Sequence, residues 1–165
     1  MFFKVCRLLI GFLRKKSVTT WGDDKMFDFK FDWNDDLSLH IKDVDEQHKE
    51  LFRIGRDIEQ LIMIRCIGVK TEQLLKIVGD LRDYTAYHFY EEERLMKLAN
   101  YSKLDEHTKE HAVFRNEVLN IDMPQLSKNP CKELKKIKNM IQDHVFVHMM
   151  EKDKVMAEEI RKKLQ

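Results

Sequence analysis

Five of the seven histidines in this chain stand where a helical core wants apolar side chains. His48, His88, His107, His111 and His148 recur in phase with leucine, isoleucine and valine at intervals of three and four, and one carboxylate, Glu92, keeps the same phase. A lone inward histidine is usually a core residue satisfied by one hydrogen bond. Five of them with a carboxylate, in one small core, would each cost on the order of several kcal/mol if unpaired. A metal satisfies them together. Spacing favours this: His88 and Glu92 are one helical turn apart, as are His107 and His111, so each pair can share one ion. The donors exceed what a single ion needs and suggest two ions bridged by carboxylate. Imidazole with carboxylate suits iron, and manganese, copper and zinc also accept nitrogen-rich sites. A structural zinc site would usually take thiolates, and the cysteines fall elsewhere. The Glu-x-x-His pairs of ferritin-like bundles are absent.

These side chains need elements that hold them at one level. The stripe Val44, His48, Leu51, Gly55, Ile58 and Ile62 marks a first helix, with Gly68 just past its end as a stop. Thr71 is the expected cap of a second, whose stripe is Leu74, Val78, Leu81, Thr85, His88, Glu92 and Leu95, and which Asn100 ends. Ser102 with Asp105 reads as a capping box for a third, with stripe Leu104, His107, His111, Phe114 and Val118. Pro124 and Pro130 bracket a loop. Asn129 and Pro130 open a fourth helix through Leu134, Ile137, Ile141, Val145, His148, Met156 and Ile160. With only 5 Gly and 2 Pro there is little turn chemistry for a sandwich or barrel. The pattern predicts an all-α fold, an antiparallel up-down-up-down four-helix bundle. In such a bundle the starts of helices one and three meet the ends of two and four, so the histidines arrive together at one end. Residues 27–43, where Phe27, Phe29, Phe31 and Trp33 alternate with polar residues, predict an extended arm laid on the domain.

The segments VDEQHKELF (44–52), HFYEEERLM (88–96), HTKEH (107–111) and HMMEKD (148–153), with Trp33 ahead of LSLHIKDVD, resemble in order and spacing the signature of the hemerythrin family in its single-domain bacterial form. The resemblance spans about residues 27–160. It implies a non-haem centre of two iron ions, Fe2+/Fe3+, joined by an oxo or hydroxo bridge, that binds dioxygen reversibly for carriage, storage or delivery. It implies His107, His111 and His148 on one iron, His48 and His88 on the other with one position open, and Glu92 and Asp153 bridging both. Periodicity alone would choose Glu151 over Asp153, which lies five residues from His148 and about 140° round an ideal helix. The resemblance chooses Asp153 and implies that the helix loosens there, as π-bulges do. Reversible binding wants a pocket that excludes water. Leu51, Phe52, Leu95, Met96, Phe114, Val145 and Met149 are the candidate lining. The same centre would also suit a redox enzyme acting on peroxide or nitric oxide, or an oxygen or iron sensor module. No general acid, base or substrate pocket beyond the site stands out, so a binding protein that is not an enzyme ranks first. His40 reads as structural. His144, one turn before His148, reads as a core residue or as a hydrogen-bond donor behind a ligand.

The remaining features bound the setting. Thirty basic residues against 29 acidic ones leave a net charge of +1, which gives no field to attract nucleic acid. No apolar run reaches membrane-spanning length. Cys6, Cys66 and Cys131 are odd in number and scattered without a CxxC, which predicts free thiols in a reducing compartment and a cytoplasmic location. A monomer is the expected state. Residues 26–165 read as one domain. Residues 1–25 form a basic N-terminal extension: Lys4, Arg7, Arg14, Lys15 and Lys16 fall in residues 1–16 with no acid among them. It suits an amphipathic helix on an anionic membrane surface or against a partner protein, a floppy extension, or a start of translation at Met26.

Overall fold

The computed structural model describes residues 30–163. The basic extension with its expected contacts, and Phe27 and Phe29 of the arm, lie outside the described residues. Five α-helices and a π-helical segment follow the arm, a sixth helix runs to the end of the described residues, and no strand occurs among them. Helix α1 is Lys42–Met63, α2 is Thr71–Leu98, α3 is Leu104–Leu119 and α4 is the short Met123–Lys128. The fourth long helix is composite: α5 (Pro130–Asp143) runs through the π-helical segment His144–Asp153 into α6 (Lys154–Lys163). Helix α1 packs on α2 and α5, α2 packs on α3, and α3 meets the π-helical segment, which is the expected antiparallel bundle. Among the described residues no helix is long and apolar enough to cross a membrane.

The stripes become the core. Leu51, Ile58, Leu74, Val78, Leu81, Val118, Leu134, Ile137 and Ile141 are buried in one large apolar cluster. A smaller cluster, Met96, Ala99, Tyr101, Met156 and Ile160, sits apart from it with Leu95 against its side. The expected pocket lining therefore divides: Leu51, Phe52, Phe114, Val145 and Met149 belong to the large cluster, while Leu95 and Met96 belong to the small one.

Several local expectations change in the folded chain. The segment between the two prolines is not a loop but helix α4, begun by Asp122, whose carboxylate accepts the Gln125 N–H (2.9 Å). Thr71 is the first helical residue rather than the cap, and Gln73 reaches back to the Lys70 N–H (2.9 Å). Ser102 caps nothing; its hydroxyl donates to Glu159 Oε2 (2.6 Å) and ties the α2–α3 turn to α6. Asn100 does adopt the left-handed conformation that ends helices, with φ of 49°, but Gly68 is not the stop of α1: that helix ends at Met63, the left-handed Arg65 and Cys66 follow its Ile64 cap, and Gly68, with φ of 73°, stands beyond them. The described part of the arm lies on the domain as expected, but it is not extended throughout: Asp35–Leu37 form a 3-10 turn and α1 already begins at Lys42. Phe31 is fully buried and its ring fills the space that a Cβ at residue 55 would need, which is why glycine stands there on the α1 stripe. Trp33 meets Phe52 edge-on at 5.5 Å. Asp45 is buried and fastens the arm to α1 by accepting the Leu39 N–H and the Ser38 hydroxyl, both at 2.7 Å.

One expectation is overturned. Cys66 and Cys131 form a disulfide that joins the turn after α1 to the first turn of α5. The two cysteines lie 65 residues apart, so spacing carried no signal, and only the packing of α1 on α5 brings them together. The thiol argument for a reducing compartment falls with that bond.

Candidate metal centre

The bundle brings His48, His88, Glu92, His107, His111, His148 and Asp153 to one end, all of them buried. Their donor atoms form two overlapping groups. One comprises Glu92, His107, His111, His148 and Asp153, the other His48, His88, Glu92 and Asp153, and within each the atoms lie within 4.8 Å of one another. Both carboxylates belong to both groups. Glu92 Oε2 lies 3.2 Å from His111 Nε2 and 3.6 Å from the Nε2 atoms of His88 and His107. Asp153 lies 3.1 Å from His148 Nε2, 3.2 Å from His107 Nε2 and 3.3 Å from His48 Nε2.

The π-helical segment is what admits Asp153. On an α-helix a residue five positions after His148 would face elsewhere. The wider turn of a π-helix puts i and i+5 on one face. Asp153 is accordingly fully buried and Glu151, the periodicity choice, is exposed.

The inward atoms of these residues approach one another without hydrogen-bond geometry. Among the described residues, His48 Nε2, His88 Nε2, His107 Nε2, His111 Nε2, His148 Nε2 and all four carboxylate oxygens of Glu92 and Asp153 are buried with no hydrogen-bond partner. Nine lone-pair donors converging in this way are what a cation of the borderline class would satisfy. The titration of the side chains by themselves shows the conflict. Burial drives the His88 imidazole down to about 3, against the pull of Glu92. Burial likewise opposes charge on His107, but the adjoining Asp153 and Glu92 carboxylates outweigh it and raise that ring to about 9. Burial would lift both carboxylates, and Asp153 would lift Glu92 further; the surrounding imidazoles hold both below their usual range instead.

Behind the donors lies a second set of contacts that phase alone does not single out. Gln47 Oε1 takes His88 Nδ1 (2.9 Å), Glu93 Oε1 takes His111 Nδ1 (3.1 Å), and Glu110 Oε2 takes His148 Nδ1 (3.1 Å). Each acceptor orients a proton onto Nδ1 and turns the Nε2 lone pair inward. The pattern is regular: Gln47 adjoins His48 on α1 and serves α2, Glu93 adjoins Glu92 on α2 and serves α3, and Glu110 adjoins His111 on α3 and serves the fourth helix. The residue next to a donor thus steers the donor of the following helix. That adjacency is the signal the sequence held. Arg115 (3.3 Å from Glu93) and Lys152 (2.9 Å from Glu110) brace the two acids from outside.

His40 and His144 lie outside both groups. His40 is exposed with φ of 57°, and its N–H donates to Ser38 Oγ (3.1 Å). His144 is a buried core residue, the first of the two readings, and it stacks on His148 (4.7 Å, 15°) instead of hydrogen-bonding a ligand.

An antiparallel bundle with imidazoles and two shared carboxylates buried at one end is a metal-binding helical bundle. The Hemerythrin HHE cation binding domain matches residues 39–160, and the chain belongs to the hemerythrin family. It is 27% identical over 124 residues to a bacteriohemerythrin of Clostridium acetobutylicum, covering 75% of this chain and 96% of that one. A bacteriohemerythrin of Pseudomonas paraeruginosa is 34% identical over 85 residues, 50% of this chain and 51% of the other. A myohemerythrin of Theromyzon tessulatum is 27% identical over 115 residues, 70% of this chain and 84% of the other.

Proposed function

We propose that this chain binds dioxygen reversibly at a pair of non-haem iron ions and acts as a carrier, store or deliverer of dioxygen rather than as an enzyme. His107, His111 and His148 would hold one ion, and His48 and His88 the other. Glu92 and Asp153 would bridge them beside an oxo or hydroxo group. The observation that carries this reading is the membership of both carboxylates in both donor groups, one group with three imidazoles and the other with two. The unequal count leaves the His48–His88 ion with fewer protein donors, which is where an exogenous ligand has room. Iron, when bound, supplies the electrons that dioxygen takes up.

The protein's own part is to hold and to shield. Gln47, Glu93 and Glu110 fix three rings in the ligating tautomer. Phe89 stacks on His111 at 3.9 Å and, with Phe52 and Met149, excludes water from the donors.

The test is anaerobic loading of the full chain with ferrous iron, followed by exposure to dioxygen and then to argon. The expected result is two iron ions per chain and a visible band that appears with dioxygen and is reversed by argon. Conversion within the mixing time to a stable oxidised spectrum would instead favour a redox enzyme acting on peroxide or nitric oxide. Absence of iron uptake would overturn the proposal.

A further inference from the structure

The seams of the bundle are not equally closed. Helix α1 packs along α2 and α5, and α2 along α3, but α3 and the fourth helix come together chiefly beside the π-helical segment. Along that seam runs an open groove of about 1100 Å³. Its floor is apolar. Phe114 and Ile137 are buried in it, Ile121 and Met140 are half-buried, and Val113 and Val147 stand 62% and 56% exposed along it. Its rims are acidic. Six carboxylates line the groove against two lysines, and both lysines are already taken, Lys136 by Glu133 (2.8 Å) and Lys152 by Glu110 (2.9 Å). Glu117 on α3, and Asp143 and Glu151 on the fourth helix, have no ion-pair partner among the described residues. Apolar surface between unpaired carboxylates is what a basic amphipathic segment would cover.

The chain carries such a segment. The net charge of +1 divides into +5 on residues 1–16 and −4 on the remainder. Read at about 100° per residue, Lys4, Arg7, Arg14 and Lys15 share one sector about 100° wide, and Phe2, Val5, Leu9, Phe12 and Leu13 fall on the opposite side. Lengths agree as well. Residues 1–16 as a helix would measure about 24 Å, and the groove, from Glu133 to Glu151 along the fourth helix, is about 25 Å long. The body of a second copy, at −4, is repelled by the same rims that attract this segment.

The segment is also tethered within reach. The Phe31 N–H donates to Glu59 Oε2 (3.5 Å), and Glu59 pairs with Lys138 of α5 (2.9 Å). The arm therefore leaves the domain beside α5, whose neighbouring face, with Ile137 and Met140, belongs to the groove. Residues 17–29 can extend to roughly 40 Å, whereas one helix is only about 10–12 Å across. A tether of this kind holds the segment at an effective concentration on the order of millimolar.

We propose that residues 1–16 dock in the groove between α3 and the fourth helix of their own chain, apolar side down, with the cationic side chains reaching over to Glu117, Asp143 and Glu151. His148 lies in this groove and Glu110 on its rim, so the docked segment roofs the Glu110–His148 hydrogen bond and closes the open seam over that ring. The proposal goes beyond the metal-centre reading and does not depend on it. The test is carbodiimide cross-linking of the full chain as purified, which joins a lysine to a carboxylate in contact with it, read by peptide mass spectrometry. Lys4, Lys15 or Lys16 is expected to link to Glu117, Asp143 or Glu151 at least about fivefold more often than to Asp43, Glu46, Glu50 or Asp83, an acidic surface between α1 and α2 that serves as control. Val147→Arg in the groove and Leu9→Asp in the segment are each expected to cut those links at least about fivefold, while Tyr87→Ser on the control surface leaves them unchanged. Leu9 lies outside the bundle, so its variant tests the docking whether or not Val147→Arg folds. In a mixture of isotope-labelled and unlabelled protein the links are expected within one chain. Links between labelled and unlabelled chains would overturn the proposal in favour of a second copy. Links spread evenly over both acidic surfaces would overturn it too, as would their absence, with or without flotation of the wild type on phosphatidylglycerol vesicles.

Discussion

Where α1 ends and α5 begins, the bundle is filled by Ile58, Leu61, Leu74, Ile77, Leu126 and Leu134 and closed by the Cys66–Cys131 bond. At the opposite end the same four helices bury five imidazoles and two carboxylates. The first region is stabilised by removal of apolar surface from water and by a crosslink that restricts the unfolded chain. It needs nothing else. The second surrenders hydration on nine donor atoms that have no partner among the side chains. One end of the bundle therefore works as scaffold for the other. It supplies the stability against which polar groups are held in an unfavourable place until a cation satisfies them.

Metal loading is the strongest way to sharpen this contrast. Iron is expected to raise the melting temperature by about 10 °C or more, with the gain in hydrogen-exchange protection concentrated around residues 44–52, 84–96, 104–114 and 144–157. Uniform protection along the helices would erase the distinction between the ends. Next in size, His88→Ala is expected to abolish iron at its own position and with it dioxygen binding, while circular dichroism retains most of the helix signal. Normal oxygenation of that variant would disprove the ligand assignment.

At the other end, Cys131→Ser is expected to cost about 2–4 kcal/mol and to lower the melting temperature of loaded and metal-free protein alike, leaving iron content and spectrum unchanged. An iron-dependent effect would mean the two ends are coupled. Smaller again, Glu110→Ala is expected to weaken iron binding about tenfold to a hundredfold by freeing the His148 ring, whereas Glu133→Ala on α5 leaves it unaltered.

The smallest effect is a pH dependence. Glu159, bonded by Lys163 and by Ser102, titrates at about 2 instead of 4.5. A carboxylate with a depressed folded pKa adds stability above its unfolded value and loses it as pH falls through the folded one. The difference in melting temperature between metal-free wild type and Glu159→Gln should therefore be constant above about pH 5 and shrink from there toward pH 2. A difference that grows on acidification would reverse the assignment.

Much of the bundle was legible in advance because burial imposes a period. Val44, His48, Leu51 and Ile58 had to share one face if α1 was to pack at all, and the histidines announced themselves by keeping that phase. Asp153 was legible only through resemblance, because its place depends on ten residues of π-helix that no local propensity specifies. Gln47, Glu93 and Glu110 were hidden for a related reason. They sit at the margin of each stripe, and their partners are on another helix.

By itself the sequence determined the four long helical stretches, their inward faces and the end at which the imidazoles gather. All three follow from the alternation of apolar and polar residues at helical intervals and from the order of the chain. Tertiary structure alone decided which carboxylate turns in, which neighbour steers each ring and that Cys66 meets Cys131. Those outcomes depend on distances between helices, and a period read along one helix carries no measure of the space across to the next.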